Sequence, residues 1–411
     1  MRTKERIKTI LLLVLLFGAV SLTYLNWTSY TGKNDTYDAN EATLNTSVAK
    51  QNMATPFSVS YKTDEGRFGA AYHGGSVNAL YDKLRPYIAE ALSGNMHETS
   101  EVFWISALDK KGVLIDYEGN IPAFALASDL GSDAVMPDVY CRYLLITEDN
   151  IYLKDTQREV YHVITHKLGE KWLDGALFGL NATKCTLAYE AKNTRVSFET
   201  LMFDRNISSF TINSVNSQTT FGDSQLSALL KVFGMNYNTC GRHTEKDGSK
   251  VYIEDLSTLK ISPDGYVTFE SEDASELSLS IPSQGEKPTV QEIVEGAGSI
   301  VDMLCSFAGG DASLYLREVY EEGTIKYGRS FGGIPIDKSG SGYAAEVYLS
   351  GNKVVRLGFH MRGYTATATA TYTLPQKFAI ASVDEGNFGV LSLRYNDNSL
   401  GTCEALWYVK K

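Results

Sequence analysis

Thr289-Val-Gln-Glu-Ile-Val-Glu-Gly-Ala-Gly-Ser-Ile-Val-Asp-Met-Leu-Cys-Ser-Phe-Ala308, directly behind Pro288, decides how this chain is divided. Thr289 and Glu292 have the spacing of a capping box, in which each side chain satisfies a backbone N–H at a helix start. Val290, Val294, Ala297, Val301, Leu304 and Ala308 then recur at helical spacing, giving one apolar face. The same plan stands upstream. Leu226, Leu229, Leu230 and Phe233 form a helical face behind the cap Asp223-Ser224, and Gly234 ends it. Leu229-Leu-Lys-Val-Phe-Gly234 echoes Met303-Leu-Cys-Ser-Phe-Ala308. Each is followed by an acidic-Gly turn (Asp247-Gly248, Glu322-Gly323), a Tyr-bearing strand (Tyr252, Tyr327) and an Ile-containing one (Ile261, Ile334 to Ile336). This pattern predicts a helix-then-meander unit of roughly a hundred residues, present twice.

Strands are expected at Lys250 to Glu254, Leu259 to Ser262, Gly265 to Glu270 and Leu277 to Ile281 in the first unit. Pro263-Asp264-Gly265 is a turn, since Pro fixes φ and Gly permits a positive one. In the second unit they fall at Ala344 to Leu349, Val354 to Arg362, Tyr364 to Leu374, Val390 to Tyr395 and Glu404 to Val409. Thr365-Ala-Thr-Ala-Thr-Ala-Thr371 alternates strictly and reads as a half-exposed strand with a Thr face.

Ahead of these lies a third region. Phe57 to Tyr61 and Phe68 to Tyr72 alternate like strands, and Val77, Leu80, Leu84, Ile88 and Leu92 mark a helix between Ser76 and Gly94. Pro86 predicts a kink or break after Leu84. Val102 to Ile105, Ala123 to Leu126, Tyr140 to Thr147, Asn150 to Lys154 and Val160 to Thr165 read as strands. The fold class is α+β, helices packed on antiparallel sheet. The expected domains are 56–185, 186–285 and 286–411.

The other end of the chain is of a different kind. Ile10 to Leu25 holds eleven Leu, Ile, Val or Phe residues and no charge. Residues 9–27, at about 1.5 Å each, span roughly 28 Å, close to the hydrocarbon thickness of a bilayer. Tyr24 and Trp27 suit the membrane interface as anchors. Arg2, Lys4, Arg6 and Lys8 within residues 1–8 predict a cytoplasmic N-terminus, with the bulk of the chain outside the cell membrane. A cleaved secretory signal competes, through the small residues Ala19 and Ser21, yet apolar character resumes at Leu22, Tyr24, Leu25 and Trp27. Residues 28–55 are polar, lack periodicity and read as a flexible stalk. Leu11, Val14, Gly18, Ser21 and Leu25 share one face of the predicted span, with small residues at its middle that let helices approach closely in lipid.

Composition narrows the function. The chain has 411 residues and a net charge of −11, which argues against nucleic acid or an anionic membrane face as partner. The 25 tyrosines and 35 glycines against nine prolines suit β-structure with turns. Cys141, Cys185, Cys240, Cys305 and Cys403 are scattered without a C-x-x-C and read as reduced, mostly buried thiols. His162 and His166 stand at i,i+4, but in β-rich sequence without the Glu of H-E-x-x-H. Gly328 to Gly333 and Ser339 to Gly342 read as hairpin loops rather than anion cradles, and Glu254-Asp255 and Glu321-Glu322 as surface pairs. No nucleophile elbow, P-loop or Rossmann fingerprint is present, so no catalytic, metal or cofactor residue is assigned.

Several stretches carry a family resemblance: Ile7 to Leu16 through Leu22-Thr-Tyr24 and Trp27, Leu230-Lys-Val-Phe-Gly-Met235, Asp247-Gly248 with Val251-Tyr-Ile-Glu254, Leu259-Lys-Ile-Ser-Pro-Asp-Gly265, and Glu404-Ala-Leu-Trp407. Together they resemble the YycH and YycI proteins, single-pass accessory proteins of the WalK/WalR (YycG/YycF) two-component system in Gram-positive bacteria. The additional N-terminal domain is more like YycH. The resemblance implies a membrane-anchored, non-catalytic regulator of a sensor histidine kinase controlling cell-wall homeostasis, with a YycI-like protein as possible heterodimer partner. An anchored cell-envelope enzyme or wall-ligand-binding protein is the alternative.

Overall fold

The computed structural model describes residues 54–410 apart from 64–65, 67, 73, 132–135, 170–171, 178–181, 208, 217–220, 273–278, 284–287, 321–322, 339–341, 372, 385–387 and 399–400. The expected anchor, its basic flank and nearly all of the stalk lie outside these residues. Among the described residues no helix is long and apolar enough to cross a membrane. The described part is α+β, with seven helices and two large sheets.

The first sheet is built from β1 (Ser58–Lys62), β2 (Phe68–Tyr72), β3 (Met96–Thr99), β4 (Gly112–Pro122), β5 (Tyr140–Thr147), β6 (Asn150–Asp155), β7 (Val160–Thr165), β8 (Thr183–Leu187) and β9 (Leu201–Phe203). Its spatial order is β3-β7-β6-β5-β4-β1-β2-β8-β9. Both faces are covered, so β5 is buried at every position. Helix α1 (Gly74–Ala91) lays Val77, Leu80, Leu84 and Ile88 in one core with Ile115, Leu144 and Ile146. Helix α2 (Glu101–Leu108) lays Trp104, Ala107 and Leu108 in another with Leu114, Tyr143 and Leu145. Helices α3 (Ala123–Leu130) and α4 (Trp172–Leu177) add Leu126 and Leu173 to the α1 side.

Two strand expectations for this region fail, and at Pro86 the break does not occur, each for a physical reason. Helix α1 runs through Pro86 to Ala91 instead of breaking after Leu84. A proline inside a helix costs about 3 kcal/mol, whereas each large apolar side chain fully buried contributes about 1.5–3 kcal/mol, and Leu80, Leu84 and Ile88 are all buried. Val102 to Ile105 is helical, within α2, not a strand. Short apolar runs carry no readable period; here Trp104, Ala107 and Leu108 go inward while Val102 and Phe103 stay outside. Ala123 to Leu126 is also helical, opening α3 behind Pro122 and closing on Gly131 at φ +69°, whose N–H returns to Ala127 and Ser128.

In the second sheet, β10 (Ser209–Asn216) comes first in sequence, followed by α5 (Asp223–Val232) and the meander β11 (Gly241–Thr244), β12 (Lys250–Glu254), β13 (Ser257–Ile261), β14 (Tyr266–Ser271). Next come α6 (Val290–Ala308), β15 (Ser313–Val319), β16 (Thr324–Phe331), β17 (Ile334–Lys338), β18 (Ala345–Ser350) and β19 (Lys353–His360). The chain closes with β20 (Arg362–Thr371), α7 (Gln376–Ala381), β21 (Val390–Asp397) and β22 (Thr402–Lys410). The capping box of α6 is formed: Thr289 Oγ1 accepts the Glu292 N–H at 3.2 Å and Glu292 Oε2 accepts the Thr289 N–H at 2.8 Å. Helix α5 begins at Asp223 and is capped one residue earlier than expected, at Gly222, whose N–H Gln225 Oε1 accepts at 3.3 Å.

Helix-then-meander order therefore occurs twice, and the two meanders join through their last strands, β14 pairing antiparallel with β19. Helices α5 and α6 pack on each other. Phe233 behind α5 stacks on Phe269 of β14 at 4.9 Å, and Tyr327 donates to the Val294 carbonyl of α6 at 3.1 Å. Both glycines of the expected acidic-Gly turns take positive φ, Gly248 at +87° and Gly323 at +85°, where an L side chain would be strained, while Glu322 lies outside the described residues. One correspondence shifts. Ile334 to Ile336 belongs to β17, which folds back on β16 and pairs in parallel with β21. The strand that stands where β13 stands in the other half is β18, between β16 and β19. Strands β21, β22, β10 and β20 extend the sheet beyond β17.

All five thiols are free, four of them buried. Residues 277–278 of the expected strand at Leu277 to Ile281 lie outside the described residues, and Ser280 bridges Lys353.

Candidate functional site

Strand β4 carries an irregularity between Asp116 and Ile121, where its pairing with β5 shifts register. Glu118 sits in this bulge at φ +66° and is only 2% exposed. A buried, non-glycine residue at positive φ persists only where its surroundings over-determine it. Six alternating charges do so here. Asp116 receives Arg142 Nε at 3.0 Å and Nη2 at 3.2 Å, a bidentate pair. Arg142 Nη2 lies 3.6 Å from Glu118 Oε2. Glu118 Oε1 pairs with Arg394 Nη2, and Arg394 Nη1 reaches both oxygens of Asp337 at 2.9 Å. Asp337 closes on Arg317 Nη1 at 3.3 Å.

The series Asp116, Arg142, Glu118, Arg394, Asp337, Arg317 thus balances three cations against three anions and crosses from β4 and β5 of one sheet to β21, β17 and β15 of the other. Arg142 is 4%, Arg394 1% and Arg317 7% exposed. Charges that deep are tolerated only when paired and hydrogen-bonded. Burial alone would lower the Arg142 guanidinium, but Asp116 beside it raises it above its ordinary value, so it stays charged.

The backbone closes the same seam. A Cβ on Gly119 would meet the Arg317 carbonyl oxygen at 2.2 Å and its Cα at 2.6 Å, so the bulge fits against β15 only as glycine. Tyr72 of β2 accepts the Leu393 N–H of β21 at 3.3 Å, and burial pushes its hydroxyl up to about 12. Phe57 meets Tyr315 edge-on at 4.7 Å.

Three further polar groups lie outside this series. Arg362 Nη1 holds both Asp397 oxygens at 2.5 and 2.6 Å, Tyr364 donates to Asp397 at 2.9 Å, and Arg329 reaches the Arg362 carbonyl and Cys305 Sγ of α6. Lys338 Nζ stands 2.7 Å from His360 Nδ1. Burial and that ammonium push His360 down to about 3, so a neutral ring accepts from the lysine. In the first sheet, Glu199 takes Lys154 at 2.6 Å and the Trp104 indole at 2.9 Å, and the Lys154 charge sits over the Trp104, Tyr143 and Tyr161 rings. Every carboxylate in these clusters faces a cation, an arrangement suited to holding elements in place rather than to moving protons.

The sequence-predicted site residues are elsewhere. Leu11, Val14, Gly18, Ser21, Leu25, Tyr24, Trp27, Arg2, Lys4, Arg6 and Lys8 all lie outside the described residues. His162 is on β7 and His166 just beyond it. Among the described residues no cluster of three or more His, Cys, Asp or Glu stands where it could hold a metal. The charge series was missed by sequence reasoning, though it left a signal: Arg142 interrupts the apolar run Tyr140 to Thr147, and Arg394 interrupts Val390 to Tyr395.

No protein-family model and no curated protein sequence matches the chain. Its fold is similar to the crystal structure of YycH from Bacillus subtilis, with a TM-score of 0.56 and 10% identity over 87% of this chain and 94% of that one.

Proposed function

We propose that the chain is a membrane-anchored, extracytoplasmic regulator of a sensor histidine kinase of the WalK/YycG kind, acting in cell-wall homeostasis. The observation that carries this reading is the YycH-like fold over 87% of the chain, together with the motifs at Leu230 to Met235 and Leu259 to Gly265. The two helix-then-meander halves are read as a duplication, ahead of which the first sheet forms the additional domain. Residues 9–27 are the single membrane span, residues 28–55 the stalk, and a YycI-like protein the second accessory partner. The paired charges of the inter-sheet seam support a non-catalytic role, because signalling by contact needs a body that moves as one piece.

The contact surface in the membrane is the face Leu11, Val14, Gly18, Ser21 and Leu25. Packing rather than hydrophobicity drives association in lipid, so bulk at the small positions separates the helices. Gly18→Ile and Ser21→Leu are expected to lower the kinase association signal in a membrane two-hybrid assay while export continues. Unchanged association and unchanged kinase output in both variants contradict this assignment.

A further inference from the structure

Strand β3 ends the first sheet. It pairs with β7, Met96 to Thr99 running opposite Ile164 to Tyr161, and its other edge carries no strand among the described residues. Such an edge presents unpaired N–H and C=O groups to any extended segment that arrives. Lysine or proline often blunts an edge of this kind, but β3 has neither and carries Glu98 instead. Met96 packs on the α1 side, so alternation places Glu98 on that face and His97 and Thr99 on the face of α2.

Ser100 alone separates β3 from α2, and that helix opens with apolar side chains in solvent. Val102 and Phe103 are 70% and 62% exposed, more than any other large apolar side chain among the described residues, while Trp104, Ala107 and Leu108 fill the core beneath. Adjacent large apolar groups left in water beside an open sheet edge mark an interaction surface. The charge around them has one sign. Glu98 stands on the edge opposite His162, Glu101 opens α2, and Glu159 precedes β7. All three are exposed, and none is paired with a cation among the described residues. Burial, followed by the carboxylates of Glu101, Glu199 and Glu159, pushes the Tyr161 hydroxyl up to about 12. Burial also holds His162 below its ordinary value, so its ring brings no positive charge at neutral pH.

We propose that this corner is a docking site for an extended, lysine- or arginine-bearing segment of another protein, which adds to β3 as a further strand and covers Val102 and Phe103 with its apolar residues. Alternation in the added strand sets basic side chains toward Glu98 and apolar ones toward α2. The same carboxylates select against other occupants. A second copy brings two sets of them together across a two-fold axis, and an anionic lipid surface is repelled. The assignment does not depend on the regulatory reading, since it concerns one edge of the first sheet.

The test is fluorescence anisotropy with the full-length chain in detergent and a short fluorescein-labelled peptide that alternates lysine and valine. Binding is expected, at least about tenfold tighter than for a peptide alternating glutamate and valine, or for the lysine–valine peptide N-methylated throughout, which cannot form strand hydrogen bonds. Neither comparison needs a variant to fold. Glu98→Lys and Phe103→Ser, both at exposed positions, are each expected to weaken binding about tenfold with the far-UV circular dichroism unchanged. Glu404→Lys makes the same change in net charge on the second sheet, at an exposed position of β22, and is expected to leave binding as it is. Absence of binding, equal binding of the N-methylated peptide, or an equal loss with Glu404→Lys overturns the proposal. A dimer in sedimentation that Phe103→Ser disperses assigns the corner to a second copy and overturns it as well.

Discussion

Arg394→Met is expected to lower the unfolding free energy by about 3–5 kcal/mol, measured by urea denaturation. Methionine fills much of the arginine's volume but leaves Glu118 and Asp337 facing an apolar atom, and Glu118 is only 2% exposed. Removing one partner of a buried network costs far more than the pair contributes, because Glu118 and Asp337 each lose a counter-ion with no solvent to replace it, keeping only Arg142 at 3.6 Å and Arg317 at 3.3 Å. Glu118→Leu added to Arg394→Met is therefore expected to recover part of the loss. A cost below about 1 kcal/mol for the single variant, the level of an exposed ion pair, would show that the series is not what joins the sheets.

The second large effect comes from Gly119→Val, which is expected to cost about 3 kcal/mol, the upper end of ordinary overpacking. The new Cβ would stand 2.2 Å from a backbone oxygen of Arg317, and neither backbone has a side chain that can swing away. The bulge must retreat from β15, and Glu118 with it. Hydrogen exchange should then rise in both the 117–120 bulge and β15. Faster exchange in the bulge alone would mean that the two sheets are not coupled there.

What the sequence disclosed follows from which interactions are local. The capping box of α6, the helical face of Leu226 to Phe233 and the turns at Gly248 and Gly323 are set by residues within a few positions of one another, and each is present in the fold. Runs of β-prone residues likewise located β5, β7, β12 and β21. Helix α2 was unreadable because its residues are apolar on every side. Trp104 could be placed inward and Phe103 outward only once β5 and β7 stood beneath the helix. The role of β17 depended on β21, whose parallel partner it is. Most of all, Glu118 and Arg394 lie far apart in sequence and meet only when both sheets are complete. A single charge inside an apolar strand, such as Arg142 or Arg394, was the one trace of that site in the sequence.

The seam also gives the proposed regulator a mechanical character. The Glu118–Arg394 pair and the close approach of Gly119 to Arg317 join the two sheets directly. Under the proposed function such a body would act on a kinase through contact alone, which requires that its presence shift the kinase between signalling states.

That requirement can be measured directly. The cognate sensor histidine kinase is reconstituted into liposomes with and without the full-length chain, and its autophosphorylation rate is followed with labelled ATP. The rate is predicted to change by about fivefold or more, the lower end of allosteric coupling, and to return toward the kinase-alone value with the Gly18→Ile chain. An autophosphorylation rate that stays the same at saturating amounts of the intact chain would contradict a regulatory role.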